Sequence, residues 1–334
     1  MAASSYPVEG RSLVERSERE RLADPIFRWG LTALAALVIA LIAFFFVFLI
    51  VKAQPALSRF GLFGFTFGKT WDVSHGIYGA LPLLIGTVVT SAIALIIGVP
   101  VAVAAALYVT ELCPRKLRGP LAFTVDLLAA VPSVVFGLWG VFVLIPNLKP
   151  IEQWLSDSFS FLPFVGGTVA GPNYFIAGLI LAIMILPIVS AISREVITTV
   201  PVEQKEAALA LGATRWEMIR MAVLPYSRAG ITGAAMLGLG RAIGETIAVT
   251  LVIGNSQQTG HSIFDQGYSL AAVIANEFGE AATDRLHVGS LIAAGLVLFV
   301  LTLVVNALAR WFVRRGTRGT NTAQATSAAA GLGA

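Results

Sequence analysis

Six segments of this 334-residue chain are each long and apolar enough to cross a lipid bilayer. A helix needs about 20 mainly apolar residues to span the hydrocarbon core, because each residue rises about 1.5 Å and the core is roughly 30 Å thick. The segments cover approximately residues 27–52, 80–110, 119–147, 172–193, 229–253 and 286–312. The sequence therefore predicts an all-α polytopic membrane protein with six transmembrane helices.

The composition excludes other classes of protein. Hydrophobic residues make up 57% of the chain and charged residues only 13%, whereas a soluble domain carries about 25% charge. The net charge of +4 does not indicate nucleic acid as a partner, because membrane proteins collect Lys and Arg in cytoplasmic loops. The single cysteine and the spacing of His75, His261 and His287 indicate no metal site, and we expect these histidines to be solvated or at interfaces.

The distribution of cations predicts the orientation. Of the 23 Lys and Arg residues, 17 fall in the segments on one side of the six spans and 5 on the other. Since positively charged loops stay in the cytoplasm, both termini are predicted to be cytoplasmic. The one remaining cation, Arg241, lies inside the fifth span.

These counts divide the chain into regions. The predicted order is a cytoplasmic N-terminal segment (1–26), a first transmembrane helix (27–52), a transmembrane domain (80–312) that contains a long cytoplasmic loop (194–228), and a disordered cytoplasmic tail (313–334). The outward segments Phe60–Tyr78 and Ser256–His287 are rich in Phe, Gly and Asp. We expect them to form a docking surface for an external protein.

The long cytoplasmic loop has the pattern of two helices. A run of helix-forming residues from Val202 to Leu211 stops at Gly212, and a second run from Thr214 to Val223 ends at Pro225. Glycine at a C-terminal cap and threonine as the next N-cap are typical of a helix–turn–helix unit. Its alanines leave a smooth face that suits docking into a partner's cleft, although a locally packed interfacial helix explains the pattern equally well.

The loop also resembles the EAA motif of ABC importer permeases. In that motif, Glu-Ala-Ala is followed by three residues, a glycine, nine residues and I-x-L-P. The matching positions here are Glu206, Ala207, Ala208, Gly212, Leu224 and Pro225. Ala222 departs from the isoleucine of the pattern. The resemblance implies that the first helix of the loop is the coupling helix, which sits in a groove of the cytoplasmic ATPase.

Arg241 and Glu245 are the polar residues of the fifth span. An arginine in the membrane costs about 2.5 to 3.5 kcal/mol on insertion scales, so it is expected to face a partner or an aqueous path. At i and i+4 the two side chains can pair, and a structural ion pair between packed helices is one interpretation. The other is a substrate path, in which the guanidinium binds an oxyanion and Glu245 acts as a gate.

The third span contains Asp126, Pro132 and Ser133. Proline removes an amide donor and disrupts the helix, and Ser133 supplies a hydroxyl at the break. Ser133 is therefore a candidate for the substrate path, with a plain proline kink as the alternative. Asp126 is assigned a structural role, paired with Arg118 or with a cation of a partner subunit, because a carboxylate repels an anion.

Two segments, Gly240–Val249 and Val131–Gly140, are similar to those of phosphate-specific ABC importer permeases of the PstC type. The resemblance covers most of residues 80–312. It implies a type I ABC importer permease (MetI-like) fold and a permease half of an ATP-driven phosphate importer in a bacterial plasma membrane. The implied partners are a PstA-like second permease, a homodimeric PstB-like ATPase and an extracytoplasmic PstS-like phosphate-binding protein.

The sequence leaves alternatives to this function. The chain has no GxxxxGK[ST] phosphate loop, so ATP and Mg²⁺ are expected on the partner ATPase, and the chain is predicted to be no enzyme and to bind no cofactor. Another oxyanion, such as sulfate or molybdate, would suit the same arginine. An ATP-independent secondary transporter is a rival class, although such folds usually contain repeats and need no docking helix.

Overall fold

The computed structural model describes residues 18–331 apart from Pro163, Thr168, Ala170 and Thr259. Side chains are described for residues 25 and 27–311, with the same four exceptions. Most of the predicted N-terminal segment (1–17) and the last three residues of the predicted tail (332–334) therefore lie outside the described residues.

The described chain is mostly helical. A short antiparallel hairpin, β1 (Trp71–Asp72) and β2 (Ile77–Tyr78), pairs Trp71 with Tyr78 and Asp72 with Ile77. The helices before the long loop are α1 (Glu18–Phe60), α2 (Leu62–Phe67), α3 (Leu81–Leu107), α4 (Arg115–Leu127), α5 (Ser133–Trp139), α6 (Ile145–Ser158) and α7 (Tyr174–Thr198). Those that follow are α8 (Val202–Ala210), α9 (Arg215–Met218), α10 (Leu224–Gly244), α11 (Ile247–Val252), α12 (Leu270–Glu277) and α13 (Arg285–Gly331).

Five described helical stretches are long and apolar enough to cross a membrane. They are Phe27–Phe60, Leu81–Leu112, Ser133–Ser158, Tyr174–Thr198 and Arg285–Trp311. The fifth predicted span, 229–253, is present as two helices, α10 and α11, with a break at Glu245 and Thr246. The third lies at Ser133–Ser158 rather than 119–147, because Pro132 ends the preceding helical stretch and a new helix begins after it.

The chain divides into two compact units, residues 1–51 and 52–334. In the first, most apolar side chains of α1 are exposed, among them Ile39 and Phe44. A helix that is apolar on all sides and unpacked by protein is typical of a lipid-facing span.

In the second unit, α3 and α7 run parallel and in close contact. A Cβ added at Gly178 would lie 2.6 Å from the side chain of Ile93, and one at Gly98 would lie 2.9 Å from the carbonyl oxygen of Ala182. Both pairs advance in the same direction along the two helices. Small residues permit this close approach of helices in a membrane.

Helix α10 runs antiparallel to α7. A Cβ at Gly230 would meet the side chain of Val196 at 2.5 Å, and one at Gly238 would meet Val189 at 2.8 Å. The relative directions of α3, α7 and α10 agree with the alternation of spans that the cation count predicts.

Two helix breaks lie side by side. Pro132 has an extended backbone before α5, and Glu245 has one after α10. A Cβ at Gly137 of α5 would lie 3.1 Å from the Ala248 Cα, and one at Gly140 would lie 2.8 Å from Val252 Cγ1. Helices α5 and α11 are therefore parallel. One helical turn before Gly137, the same register places Ser133 level with the break at Glu245.

Two sequence-based boundaries differ from the structure. The second helix of the long loop does not end at Pro225, because the proline occupies the first turn of α10, where its missing amide is tolerated. A π-helical turn (Ile219–Val223) joins α9 to α10. Helix α13 continues to Gly331, through most of the tail predicted to be disordered, and the alanines of this segment favour helical backbone.

The packing of α5 on α11 predicts the effect of a single methyl group. In Gly137→Ala the added Cβ would approach Ala248 Cα and Leu251 Cδ1, which lies at 2.6 Å. Overpacking of this kind costs about 1–3 kcal/mol, so we expect a lower thermal midpoint for the purified protein. The matched control is Gly119→Ala on α4, where nothing lies within 4 Å. Equal midpoints for the two variants would contradict the close packing.

Candidate functional site

The turn between α8 and α9 is held in one conformation. Gly212 has a φ of +86°, a left-handed conformation in which a Cβ is strained. Thr214 caps α9: its hydroxyl accepts from the Glu217 amide at 3.3 Å, and its own amide donates to Glu217 Oε2 at 2.8 Å. This hydrogen bond from the Thr214 amide lowers the pKa of Glu217. Gly212 and the capping box confirm the predicted turn.

Helix α8 exposes its surface rather than packing against the protein. None of its nine side chains is buried, and the following Leu211 is 90% exposed. A cleft of about 670 Å³ beside it is lined by Ala207, Ala208, Gly212 and Met221 among others. Glu206 and Ala207 are exposed and Ala208 is half-buried, while Leu224 and Pro225 lie at the start of α10. This exposure favours docking to a partner over the alternative of a locally packed helix.

Arg241 and Glu245 do not form the ion pair that is one interpretation of their spacing. Arg241 is exposed, and the structure records no ion pair or hydrogen bond of its guanidinium with any described residue. Glu245 is half-buried, and its Oε1 lies 3.5 Å from the Ala248 amide. Helix α10 ends at Gly244, and the Glu245 carboxylate lies beside the first turn of α11 instead of beside the guanidinium.

Ser133 is the first residue of α5, directly after Pro132, and is half-buried. Its hydroxyl makes no recorded hydrogen bond within the described part of the chain. The alternative in which Ser133 satisfies its own kinked helix is therefore not observed. The hydroxyl stays available at the level of the second break.

Asp126 pairs within this chain, with Arg194 rather than with the Arg118 proposed from the sequence. Its Oδ1 accepts from Arg194 Nη2 at 2.5 Å, and Arg194 Nη1 donates to the Ala122 carbonyl oxygen at 3.3 Å. Arg194 lies on α7, 68 residues away. Because Ala122 and Asp126 are one turn apart, both face Arg194, and the pair joins α4 to α7.

Sequence reasoning missed a buried polar network at the hairpin. Glu277 Oε2 accepts from Trp71 Nε1 at 3.0 Å and lies 3.0 Å from His287 Nε2, and the ring of Tyr78 stacks on His287. His287 is only 5% exposed, which corrects the expectation of a solvated or interface histidine. A carboxylate and an imidazole in otherwise apolar helices were the available signal, since buried charges require partners.

The predicted outward segments border a polar cleft. It has a volume of about 590 Å³ and is lined by Lys69–Asp72 and Asn255–Gln258. The side-chain hydrogen bond from His75 lowers the pKa of Asp72 at its edge. Among the described residues, no group of three or more His, Cys, Asp and Glu side chains has a metal-binding arrangement.

Residues 98–318 match the model of the protein family described as "Binding-protein-dependent transport system inner membrane component". The chain belongs to this family of ABC importer permeases. It is a multi-pass inner-membrane protein, and ATP hydrolysis in such transporters lies in a separate subunit. The permease is therefore the transmembrane part of an ABC transporter complex.

Curated relatives of the permease extend over most of its length. The phosphate transport system permease protein PstC of Mesorhizobium japonicum is 45% identical over 302 residues, which cover 89% of this chain and 92% of the relative. PstC 2 of Mycobacterium tuberculosis is 44% identical over 87% of this chain and 91% of its own length. These relatives confirm the resemblance that Gly240–Val249 and Val131–Gly140 indicate.

Solved structures confirm the type I ABC permease fold. A bacterial alginate ABC transporter in complex with its alginate pentasaccharide-bound periplasmic protein has a chain with a TM-score of 0.58 and 20% identity. The match covers 89% of the permease and 98% of that chain. At this identity the likeness concerns the fold alone.

The Asp126–Arg194 pair predicts how firmly α4 is held. No side chain of α4 is buried, so removing the carboxylate in Asp126→Asn should let α4 open more often. An ion pair of this exposure contributes about 1 kcal/mol, and we expect trypsin to cleave after Arg115, Lys116 and Arg118 about fivefold faster in the purified protein. Asp157→Asn, an exposed position on α6, is the control. Unchanged cleavage in Asp126→Asn would contradict the clamp.

Proposed function

We propose that this permease forms the translocation path of an ATP-driven importer of inorganic phosphate. The observation that carries the proposal is Arg241, an exposed arginine without an ion pair or hydrogen bond to any described residue, four residues before a helix break. Guanidinium binds phosphate oxygens through two parallel hydrogen bonds. The names of the relatives, phosphate transport system permease proteins, support phosphate as the oxyanion.

The path runs past the paired breaks. Ser133 lies level with Glu245 in the register of α5 and α11 and offers an uncommitted hydroxyl, while Arg241 supplies the positive charge one turn before Glu245. Irregular backbone is tolerated at membrane depth where it lines a cavity or is buried in protein. Arg241, Glu245 and Ser133 thus form the substrate path, and Pro132 fixes one of its breaks.

Glu245 acts as the gate. In the present conformation its carboxylate lies beside the Ala248 amide at the start of α11 and is not paired with Arg241. Because the two residues have i,i+4 spacing, a rotation of the Glu245 side chain away from this amide would allow them to pair. The arginine then alternates between binding the anion and being neutralised by Glu245, so the site stays weak enough to release phosphate.

The permease works with three partners. A PstA-like permease completes the membrane domain, a homodimeric PstB-like ATPase binds ATP and Mg²⁺, and a PstS-like binding protein delivers phosphate to the polar cleft at Lys69–Asp72. Both termini lie in the cytoplasm. When ATP closes the ATPases, α8 moves in its groove, and the path past Arg241 opens outward. The permease itself binds no cofactor.

The test of the function uses the complete transporter reconstituted in vesicles. Binding protein loaded with phosphate is expected to stimulate ATP hydrolysis and phosphate uptake, and uptake is expected to cease without the ATPase. Sulfate-loaded binding protein as the better stimulus would identify another oxyanion as the substrate. Phosphate uptake without the ATPase would contradict an ABC importer.

Arg241→Gln tests the path itself. A hydrogen bond to a charged group contributes about 1.5–3 kcal/mol, so we expect phosphate uptake to fall about 10- to 100-fold while the complex still assembles. Lys149→Gln, an exposed cation at the predicted external side, should leave uptake unchanged. Normal phosphate uptake by an assembled Arg241→Gln transporter would rule out the proposed path.

A further inference from the structure

One ion pair links the exposed helix α8 to the end of a membrane-spanning stretch. Lys205 Nζ lies 2.6 Å from Glu111 Oε1, and the two side chains are only 19% and 11% exposed. Lys205 precedes the Glu206-Ala207-Ala208 segment on α8. Glu111 belongs to a π-helical turn (Tyr108–Leu112) that continues α3. The pair spans 94 residues of sequence and was not predicted.

The rest of the loop is attached differently. An apolar cluster joins the ends of α3 and α7 to α9 and the π-helical turn after it, through Ala106, Ile197, Val200, Met218, Ile219 and Val223. Helix α8 contributes only the partly buried Ala208 to this cluster. Packing therefore holds α9, whereas α8 has the ion pair as its charged connection to α3.

The position of Glu111 suits the transmission of a movement. Its π-helical turn is tied to the preceding helix, since Thr110 Oγ1 donates to the Ala106 carbonyl oxygen at 2.9 Å and the Cys113 amide donates to that of Tyr108 at 2.8 Å. Single π-helical turns in α-helices occur frequently at functional sites. Because α3 is packed closely on α7, a force applied at Glu111 acts on both helices.

We infer that the Lys205–Glu111 pair is a strut that carries the movement of α8 directly to α3 and α7. The inference rests on the proposed function. Without the strut, a movement of α8 reaches α3, α7 and α10 only through α9, the π-helical turn Ile219–Val223 and the apolar cluster. With the strut, α8 also acts on α3 directly. Lys205 and Glu111 are positioning residues and contact neither phosphate nor ATP.

The test measures phosphate imported per ATP hydrolysed by the reconstituted complete transporter. Glu111→Gln and Lys205→Gln each leave one partly buried charge unpaired, and we expect this ratio to fall by about fivefold or more, at the lower end of ordinary coupling between sites. The double variant Glu111→Lys with Lys205→Glu restores an ion pair and should return the ratio to within about twofold of the unmodified transporter. Glu195→Gln, which removes an exposed carboxylate near the end of α7, is the control and should keep the original ratio.

Copurification of the ATPase with each variant separates transmission from docking. Reduced ratios in variants that retain the ATPase, together with recovery in the exchanged pair, support the strut. The strut would be overturned by unchanged ratios in both single variants. It would also be overturned if the double variant with exchanged charges had a ratio as low as that of the single variants. If a single variant does not assemble, Glu111→Asp replaces it, because its shorter side chain stretches the 2.6 Å contact and keeps the charge; an unchanged ratio there overturns the strut.

The same experiment distinguishes the two proposals. An unmodified transporter that moves no phosphate contradicts the proposed function. If the unmodified transporter imports phosphate and the variants import the same amount of phosphate per ATP hydrolysed, only the strut is contradicted.

Discussion

The close parallel packing of α5 on α11 is the constraint on which the proposed path depends. Gly137 and Gly140 bring the two helices together because a Cβ at either position would overlap the neighbouring helix. The register of this contact sets both helix breaks at one level. Unpaired backbone groups are costly in lipid, so the two adjacent breaks either are buried in protein or line an aqueous cavity. Ser133, Glu245 and Thr246 lie at the breaks, and Arg241 lies one turn before the second.

The proposed coupling role of α8 requires the transfer of movement from an exposed surface to the membrane helices. That surface is α8 with the exposed Leu211, and its attachments are an apolar cluster at α9 and the charged contact between Lys205 and Glu111. Apolar packing resists separation in all directions, whereas an ion pair concentrates its attraction at two atoms. In the proposed role, α8 needs such a localised link, because few of its side chains pack against the rest of the protein.

The features that follow from local sequence were predictable. Apolar length identified the spans, and glycine and threonine identified the turn at Gly212 and the cap at Thr214. The EAA-like pattern and the segments at Val131 and Gly240 identified the family. Each depends on residues within a few positions of one another or on a preserved motif. The contact between Gly137 of α5 and helix α11 could not be predicted from the sequence, because the spacing of glycines does not specify which helix packs against them.

The failures arise from tertiary structure. Arg241 and Glu245 have the spacing of an ion pair, but the Glu245 carboxylate lies beside the Ala248 amide of the next helix. The partner of Asp126 within the chain is Arg194, 68 residues away in sequence, and not Arg118. His287 is buried by a hairpin and by Glu277, neither of which its own neighbours in the sequence indicate. Pro225 was interpreted as a helix end, although proline is equally suited to the first turn of a helix.

The central claim is that the paired breaks line an aqueous path. Single cysteines at Ser133 and Thr246, in a chain in which the native Cys113 is replaced by serine, can be treated with a hydrophilic thiol reagent in the assembled transporter. The account predicts modification of both positions at rates that differ between nucleotide-free and ATP-bound states, while a cysteine at Phe44, an exposed position of the first span, stays unmodified. Cysteines at Ser133 and Thr246 that are as unreactive as the one at Phe44 in every state would contradict it.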